Sequence, residues 1–187
     1  MNFPFPTMWS KNLLFRPFRT SDAGNVLTLF SDNETMMLDG GETLDNMNQA
    51  LEFIHVYSQY YPGIQAFRWA VEIRDSGQFI GSCGFHDIDQ YHKRAEIGGE
   101  LLKPYRRAGF AKEGMFHLIH FGFYTLGLNR LTAKISTENK TAIALIEKSP
   151  FKYEGCLRQW ERWGTKWVDL NVYGLLKSDW RNMGKNL

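Results

Sequence analysis

Cysteine is scarce in this 187-residue chain, and its two thiols, Cys83 and Cys156, lie far apart in no Cys-x-x-Cys arrangement. That spacing argues against a structural zinc site or a dithiol redox motif, and it reads as two reduced thiols of the cytosolic kind. An excess of charge of one sign is also missing. With 22 basic and 20 acidic residues the net charge is +2, so the bulk field predicts no polyanionic partner, and any anion site must be local. Long apolar runs are absent as well. The most apolar segment, Met115 to Leu128, is interrupted by His117 and His120 and is too short to span a bilayer. The opening Met-Asn-Phe-Pro-Phe-Pro has no basic leader ahead of an apolar run, so no signal peptide is expected. What is present is ordinary for a folded protein: 43% hydrophobic and 15% aromatic residues, without internal repeat or low-complexity tract. The length predicts a single domain over residues 1–187, with a loose leader to about residue 12 and a tail from residue 177. A soluble cytoplasmic protein, with no membrane partner, is the expectation.

The informative stretch is Pro104 to Gly114, Pro-Tyr-Arg-Arg-Ala-Gly-Phe-Ala-Lys-Glu-Gly. Small residues at Ala108, Gly109 and Ala111 follow two arginines and lead into a segment with helical apolar spacing. Small side chains let a backbone approach a ligand closely. The unpaired first-turn N–H groups of the helix, at the positive end of its dipole, then point at an anion. Lys103, Arg106, Arg107 and Lys112 add mobile positive charge. Alone, the stretch fits a tight strand-to-helix turn with solvated arginines better than a phosphate site, and its neighbours shift that balance.

Along the chain, Leu13 to Phe18 reads as a first strand closed by Pro17. Thr20, Ser21 and Asp22 offer caps for a helix to about Ser31, and Asp39-Gly40-Gly41 breaks the chain. Thr43 can cap a second helix with Leu44, Met47, Leu51 and Ile54 on one face, ended by Pro62-Gly63. Phe67 to Arg74 and Gln78 to Phe85 form a hairpin about Asp75-Ser76-Gly77. Ala95 to Leu101 follows as a strand whose paired Gly98 and Gly99 suggest a bulge or a close approach to a ligand. A helix covers Gly109 to Leu126, and Leu131, Ala133 and Ile135 alternate with Thr132, Lys134 and Ser136 in the next strand. Asn139 to Ser149 reads as a short helix, apolar nearly all round and hence buried. Strands at about Lys152 to Trp163 and Lys166 to Leu176 flank a turn at Gly164. The fold class is α+β (mixed α/β): a largely antiparallel sheet with one parallel crossover around the Gly109 helix. Such a crossover places a ligand at the strand's carboxyl end.

These residues resemble the GNAT superfamily of acyl-CoA-dependent N-acyltransferases, in particular its RimJ/RimL-type branch. The superfamily pattern (Gln/Arg)-x-x-Gly-x-(Gly/Ala) is met by Arg106-Arg107-Ala108-Gly109-Phe110-Ala111. Four further stretches fall in order: Leu14-Phe15-Arg16-Pro17, Ile80 to Asp89, Arg94-Ala95-Glu96-Ile97-Gly98, and Asn139 through Lys148 with Phe151 and Glu154-Gly155. The resemblance covers about residues 13–180. It implies the GNAT fold: a mostly antiparallel twisted sheet of six or seven strands, about four flanking helices, and a splayed strand pair at the cofactor site. It also implies acetyl-CoA as co-substrate. Backbone N–H groups of Arg107, Ala108, Gly109, Phe110 and Ala111, beside Arg106, would hold its pyrophosphate. The strand end from Glu100 through Leu101, Leu102 and Lys103 would pair with its pantetheine arm, and Asn139 would lie near its thiol end. Lys148, in the matching helix, is a further candidate cofactor contact.

Acetyl transfer from a thioester needs a neutral amine, a polarised carbonyl and a proton for the departing thiolate. An unpaired strand N–H at Glu100 or Leu101 would serve as oxyanion donor, worth roughly 3 kcal/mol. Three carboxylates are candidates for the base. Glu161 matches the glutamate proposed in the ribosomal-protein branch. Glu96 lies where several relatives carry a catalytic glutamate, and Glu100 shares its strand face. Glu161 ranks first, Glu96 second and Glu100 third, and each is also readable as a solvated or salt-bridged carboxylate. The chain departs from the family at Ala142, where the ribosomal branch has serine, and at Ile146, where others place an acid tyrosine. Thr141 or water is left to protonate the thiolate. Pro150 replaces the usual helix-ending glycine, so that turn must differ.

Other features invite readings that the pattern does not favour. His117 and His120 read as packing or partner-facing residues rather than metal ligands, and no metal is expected. His92-Lys93-Arg94 reads as a solvated hairpin loop, with no nucleic-acid partner implied. Trp160, Trp163 and Trp167 fit an acceptor pocket, a dimer face or cross-strand packing equally. The expected activity is direct acetyl transfer to a primary amine in a ternary complex, foremost a protein or peptide N-terminal α-amine. An α-amine, with a pKa near 8, is partly neutral at pH 7, which suits a weak acid-base set. The acceptor is expected between the first two helices and the final hairpin. The alternatives are a polyamine, amino acid or drug amine as acceptor, or a CoA-binding scaffold without turnover. Monomer and homodimer are both compatible.

Overall fold

The computed structural model describes residues 4–33, 36, 38 and 43–183. Among these, eight strands form one sheet: β1 (Met8–Trp9), β2 (Leu13–Arg16), β3 (Phe67–Ile73), β4 (Phe79–Asp89), β5 (Arg94–Leu101), β6 (Arg130–Ser136), β7 (Lys152–Trp163) and β8 (Lys166–Leu176). The order is β1-β2-β3-β4-β5-β6-β8-β7, and every pairing is antiparallel except β5 with β6. The expected mixed α+β fold with one parallel crossover is therefore present, with one more strand than expected. That strand comes from the leader. Residues 8 and 9 pair with β2, Phe5 packs on Phe67 and Trp69, and the Trp69 indole N–H donates to the Pro6 carbonyl at 2.7 Å. The expected loose leader is thus tied to the core by aromatic burial, a signal that a proline-containing hexapeptide hides.

Helices α1 (Ala23–Phe30) and α2 (Met47–Tyr57) cover one face of the sheet. The other face carries α3 (Phe110–His120), α4 (Lys140–Ile146) and α5 (Lys177–Met183). The last of these occupies the expected tail, where Trp180 packs edge-on against Phe116. The cap of α2 is Asn46, whose side chain accepts from the Gln49 N–H, and not Thr43. Its buried face is Ala50 and Ile54, while Met47 and Leu51 are exposed. The inward stripe is Ala50, Phe53, Ile54 and Tyr57, so the aromatic residues and not Met47 and Leu51 orient the helix. The break at Asp39-Gly40-Gly41 lies outside the described residues.

Short α4 is not buried all round, since only Ile146 is fully covered. Its other apolar residues are left for whatever fills the space beside it. Helix α3 ends at His120 and continues as a π-helical turn, Phe121–Thr125. A Cβ on Gly122 there would lie 3.0 Å from Leu131 and 3.1 Å from Phe85, so any larger residue would make those side chains give way. His117 and His120 stack on Phe15 and Tyr124. The Arg16 of the opening strand is buried, with its guanidinium held by Asp22 in a bidentate pair and by Glu72. Burial works against its charge, but the two carboxylates outweigh it and raise its pKa. That cluster ties β2, the turn into α1 and β3 together.

Candidate active site

Parallel pairing between β5 and β6 covers only Arg94 with Arg130, Ala95 with Leu131 and Glu96 with Thr132. Beyond Glu96 the two strands part. The Leu102 N–H bonds the Ile80 carbonyl at 2.9 Å, which sets the alternation of an antiparallel ladder: even-numbered residues of β5 turn their backbone groups to β4. Gly99 and Leu101 therefore point theirs into the gap. The oxyanion donors available are thus the N–H groups of Gly99 and Leu101. That of Glu100 is engaged with β4. The splayed pair is the mouth of a cleft of about 530 Å³.

Side chains reach this cleft from both faces. Gly99 is fixed by packing, since a Cβ there would lie 2.8 Å from the Cys83 Cβ. Burial pushes the Cys83 thiol up to about 12, so it is no thiolate at neutral pH. The three candidate carboxylates, Glu96, Glu100 and Glu161, all line the cleft. Each has a different partner. Glu100 forms an ion pair with Arg68, and Glu96 accepts from Lys134 at 2.8 Å. Burial raises the pKa of both against the pull of those cations. Glu161 accepts from the Trp163 indole N–H at 2.8 Å through Oε2. Its other oxygen makes no hydrogen bond among the described residues.

The cleft wall on the α1/α2 side is aromatic. Phe53 lies 4.6 Å from both Phe30 and Tyr57. Arg68, His86, Lys134 and the aromatic wall were absent from the sequence-based candidates. The signal for Arg68 was a charge inside the apolar strand Phe67–Ile73, whereas Lys134 shares a face with Glu96 only through the register that pairs Glu96 with Thr132.

At the other end, β5 stops at Leu101, and Leu102 turns back to β4 before a 3₁₀ turn at Lys103–Tyr105. Only Glu100 and Leu101 of the expected pantetheine segment are therefore in the strand. Gly109 caps α3 at φ +88, and Arg107 also has positive φ, +64. Phe110 and Ala111 line the cleft, while Arg107, Ala108 and Gly109 are exposed at its rim. Arg106 donates through Nε to the Leu101 carbonyl at 2.8 Å, bracing the loop against β5. Lys103 contacts Asp32 at 3.1 Å. Asn139 lines the cleft but its side-chain oxygen caps α4, accepting from the Ala142 N–H at 3.0 Å. Lys148 is exposed past the end of α4 and does not line the cleft. Among the described residues no group of His, Cys, Asp and Glu side chains could hold a metal ion, and no helix is long and apolar enough to cross a membrane.

An unpaired strand edge, a left-handed glycine at a helix N-terminus and carboxylates in one cleft suit transfer of an acyl group from a phosphate-bearing donor. The Acetyltransferase (GNAT) domain family matches residues 12–152, and the chain belongs to that family. It is an N-acetyltransferase, and the family's acyl donor is acetyl-CoA. The uncharacterized N-acetyltransferase YoaA of Bacillus subtilis (strain 168) is 35% identical, over 92% of this chain and 98% of its own length. The putative ribosomal N-acetyltransferase YdaF of the same organism is 31% identical over 56% of this chain and 57% of its own. The spermidine N-acetyltransferase from Vibrio cholerae, solved in complex with CoA and spermine, superposes with a TM-score of 0.81 at 20% identity, over 92% of this chain and all of that one. At that identity the likeness is of fold.

Proposed function

We propose that this enzyme acetylates an α-amine, foremost the free N-terminus of a peptide or protein, by direct transfer in a ternary complex. The observation that carries the reading is the charge state of the cleft: Glu96 and Glu100 already hold Lys134 and Arg68. A polycation finds little uncompensated negative charge there, whereas a single amine on an apolar body meets Glu161 and the Phe30, Phe53 and Tyr57 wall. Bounded volume favours a second reading, a small monoamine. Two reduced cysteines agree with a cytoplasmic setting.

Acetyl-CoA supplies the activated carbonyl and a thiolate leaving group. Backbone N–H groups at the start of α3, from Arg107 to Ala111, are assigned to its pyrophosphate. Gly99 and Leu101 N–H hold the developing oxyanion. Glu161 takes the proton that the attacking nitrogen sheds, directly or through water. Lys134, paired with Glu96, offsets part of the burial that raises the Glu96 pKa. Cys83, as a thiol, takes no part as nucleophile.

Competition between a free-N-terminus peptide, its blocked form and spermidine tests the acceptor. The free peptide is expected to give the highest kcat/KM, and spermidine in first place would sink the reading. Glu161→Gln is expected to lower kcat about 10²- to 10⁴-fold, and Glu96→Gln less. The reverse order would make Glu96 the base.

A further inference from the structure

The cleft holds a hydrogen-bond donor that the chemistry above leaves unused. His86 stands on β4 across from Glu96 on β5, and its ring lines the cleft. Its Nε2 lies 2.9 Å from Nη1 of Arg68. A guanidinium only donates, so Nε2 must accept and the ring proton must sit on Nδ1. Nδ1 has no hydrogen-bond partner among the described residues, yet no buried polar side-chain atom among them is unsatisfied. The Nδ1–H edge is therefore not sealed off, and it belongs to a ring that lines the cleft.

The surroundings hold the ring in this state. Arg68, only 5% exposed, is fixed in turn by the Ser82 hydroxyl at 3.0 Å and by the Glu100 carboxylate. Its guanidinium carbon lies 5.9 and 6.0 Å from the Phe30 and Tyr57 ring centroids. Burial, then the Arg68 charge, hold the imidazole down to about 3, so it stays neutral in any ordinary buffer. Tyr57 meets the ring edge-on at 6.2 Å. Facing its Nε2 edge is Gly98, where an added Cβ would sit in ordinary van der Waals contact, 3.7 Å from Nε2.

We propose that His86 selects the acceptor: its Nδ1–H donates to an oxygen carried next to the reacting amine, so an α-amino carbonyl compound is preferred over a plain alkylamine. Amino-acid amides and the first residue of a peptide both fit. The proposal rests on the α-amine reading above and adds the feature recognised beyond the amine. A neutral imidazole suits this task, because it donates without repelling an ammonium group as it arrives. An acceptor lacking the oxygen leaves the donor unpaired in a closed site, which is how buried polar groups discriminate strongly.

Phenylalanine amide and phenethylamine differ by the carboxamide alone and serve as the test pair. Their kcat/KM values are measured across pH and referred to the neutral amine. Wild type is expected to favour the amide. His86→Leu is expected to lower kcat/KM for the amide about tenfold more than for phenethylamine. His86→Gln, which offers an oxygen to Arg68 and an N–H to the substrate, is expected to restore part of the preference. A purely structural role would lower both acceptors alike, and equal losses would overturn the proposal. If the leucine variant does not fold, the wild-type ratio decides, and a ratio near one overturns it. Failure of the α-amine reading looks different: spermidine and phenethylamine turn over, neither amide nor free peptide does, and the His86 proposal falls with it.

Discussion

His86 binds its proton far more weakly in the folded chain than out of it, and that difference is itself a stability term. Its pKa falls from 6.5 to about 3, through burial first and the Arg68 charge second. Between those values the unfolded chain binds the proton and the folded chain does not, so stability rises with pH across this window and is lost as pH falls through it. The contribution is of order a few kcal/mol. Glu96 and Glu100, with raised pKa values, act in the opposite sense: the folded chain binds their protons more readily, and acid relieves their burial. A comparison with His86→Gln separates the two. Wild type is expected to be the more stable at pH 7, and the gap should narrow or reverse by pH 4 in urea denaturation. Parallel pH profiles would show that the ring is not held neutral by the fold.

At the scale of elements, the turn into α3 depends on a backbone conformation. Gly109 at φ +88 aims the first-turn N–H groups outward, with nothing within 4 Å of where its Cβ would be. Gly109→Ala therefore costs about 1 kcal/mol through backbone strain and not through collision. Because the loop must hold that shape to meet an anion, acetyl-CoA affinity by calorimetric titration is expected to fall roughly tenfold with the fold retained, about the 1.4 kcal/mol of one decade. Unchanged affinity would remove the loop from the cofactor site. This element was legible in the sequence because its signal is local: a glycine, small neighbours and the start of a 3.6-residue apolar period. The final hairpin, Lys152–Trp163 and Lys166–Leu176, was legible for the same reason. What could not be read depends on partners distant in sequence. Neither Met8–Trp9 pairing with β2 nor the face that α2 buries is written in its own residues. The same holds for Arg68 and Lys134, whose importance comes from Glu100 and Glu96 on another strand. Three glutamates were recognisable as candidates, but which of them a cation holds is set by residues on other strands.

On the scale of the whole molecule, the splay divides the sheet into two halves, β1 to β5 and β6-β8-β7. They are joined by the short ladder at Arg94, Ala95 and Glu96, by the Lys134–Glu96 pair and by the core that α3 lays across them. A ligand lying in the gap bridges both halves, so its binding energy acts on their association. Saturation at about 100 times Kd adds roughly 2.7 kcal/mol to the folded state, and for a chain of this size each kcal/mol shifts Tm by about 2–4 °C. A rise in Tm of roughly 5–11 °C with acetyl-CoA follows. Location matters as much as size. In hydrogen exchange without ligand, the Gly99 and Leu101 amides, facing the gap, should exchange faster than those of Gly98 and Glu100, which are bonded to β4. With acetyl-CoA, protection should grow at Gly99 and Leu101 and at the first turn of α3, while β2 and β3 change only with global stability. A Tm rise with protection spread evenly over the sheet would place the ligand elsewhere, because only a ligand seated in the splay touches the backbone groups that the parting strands leave unpaired.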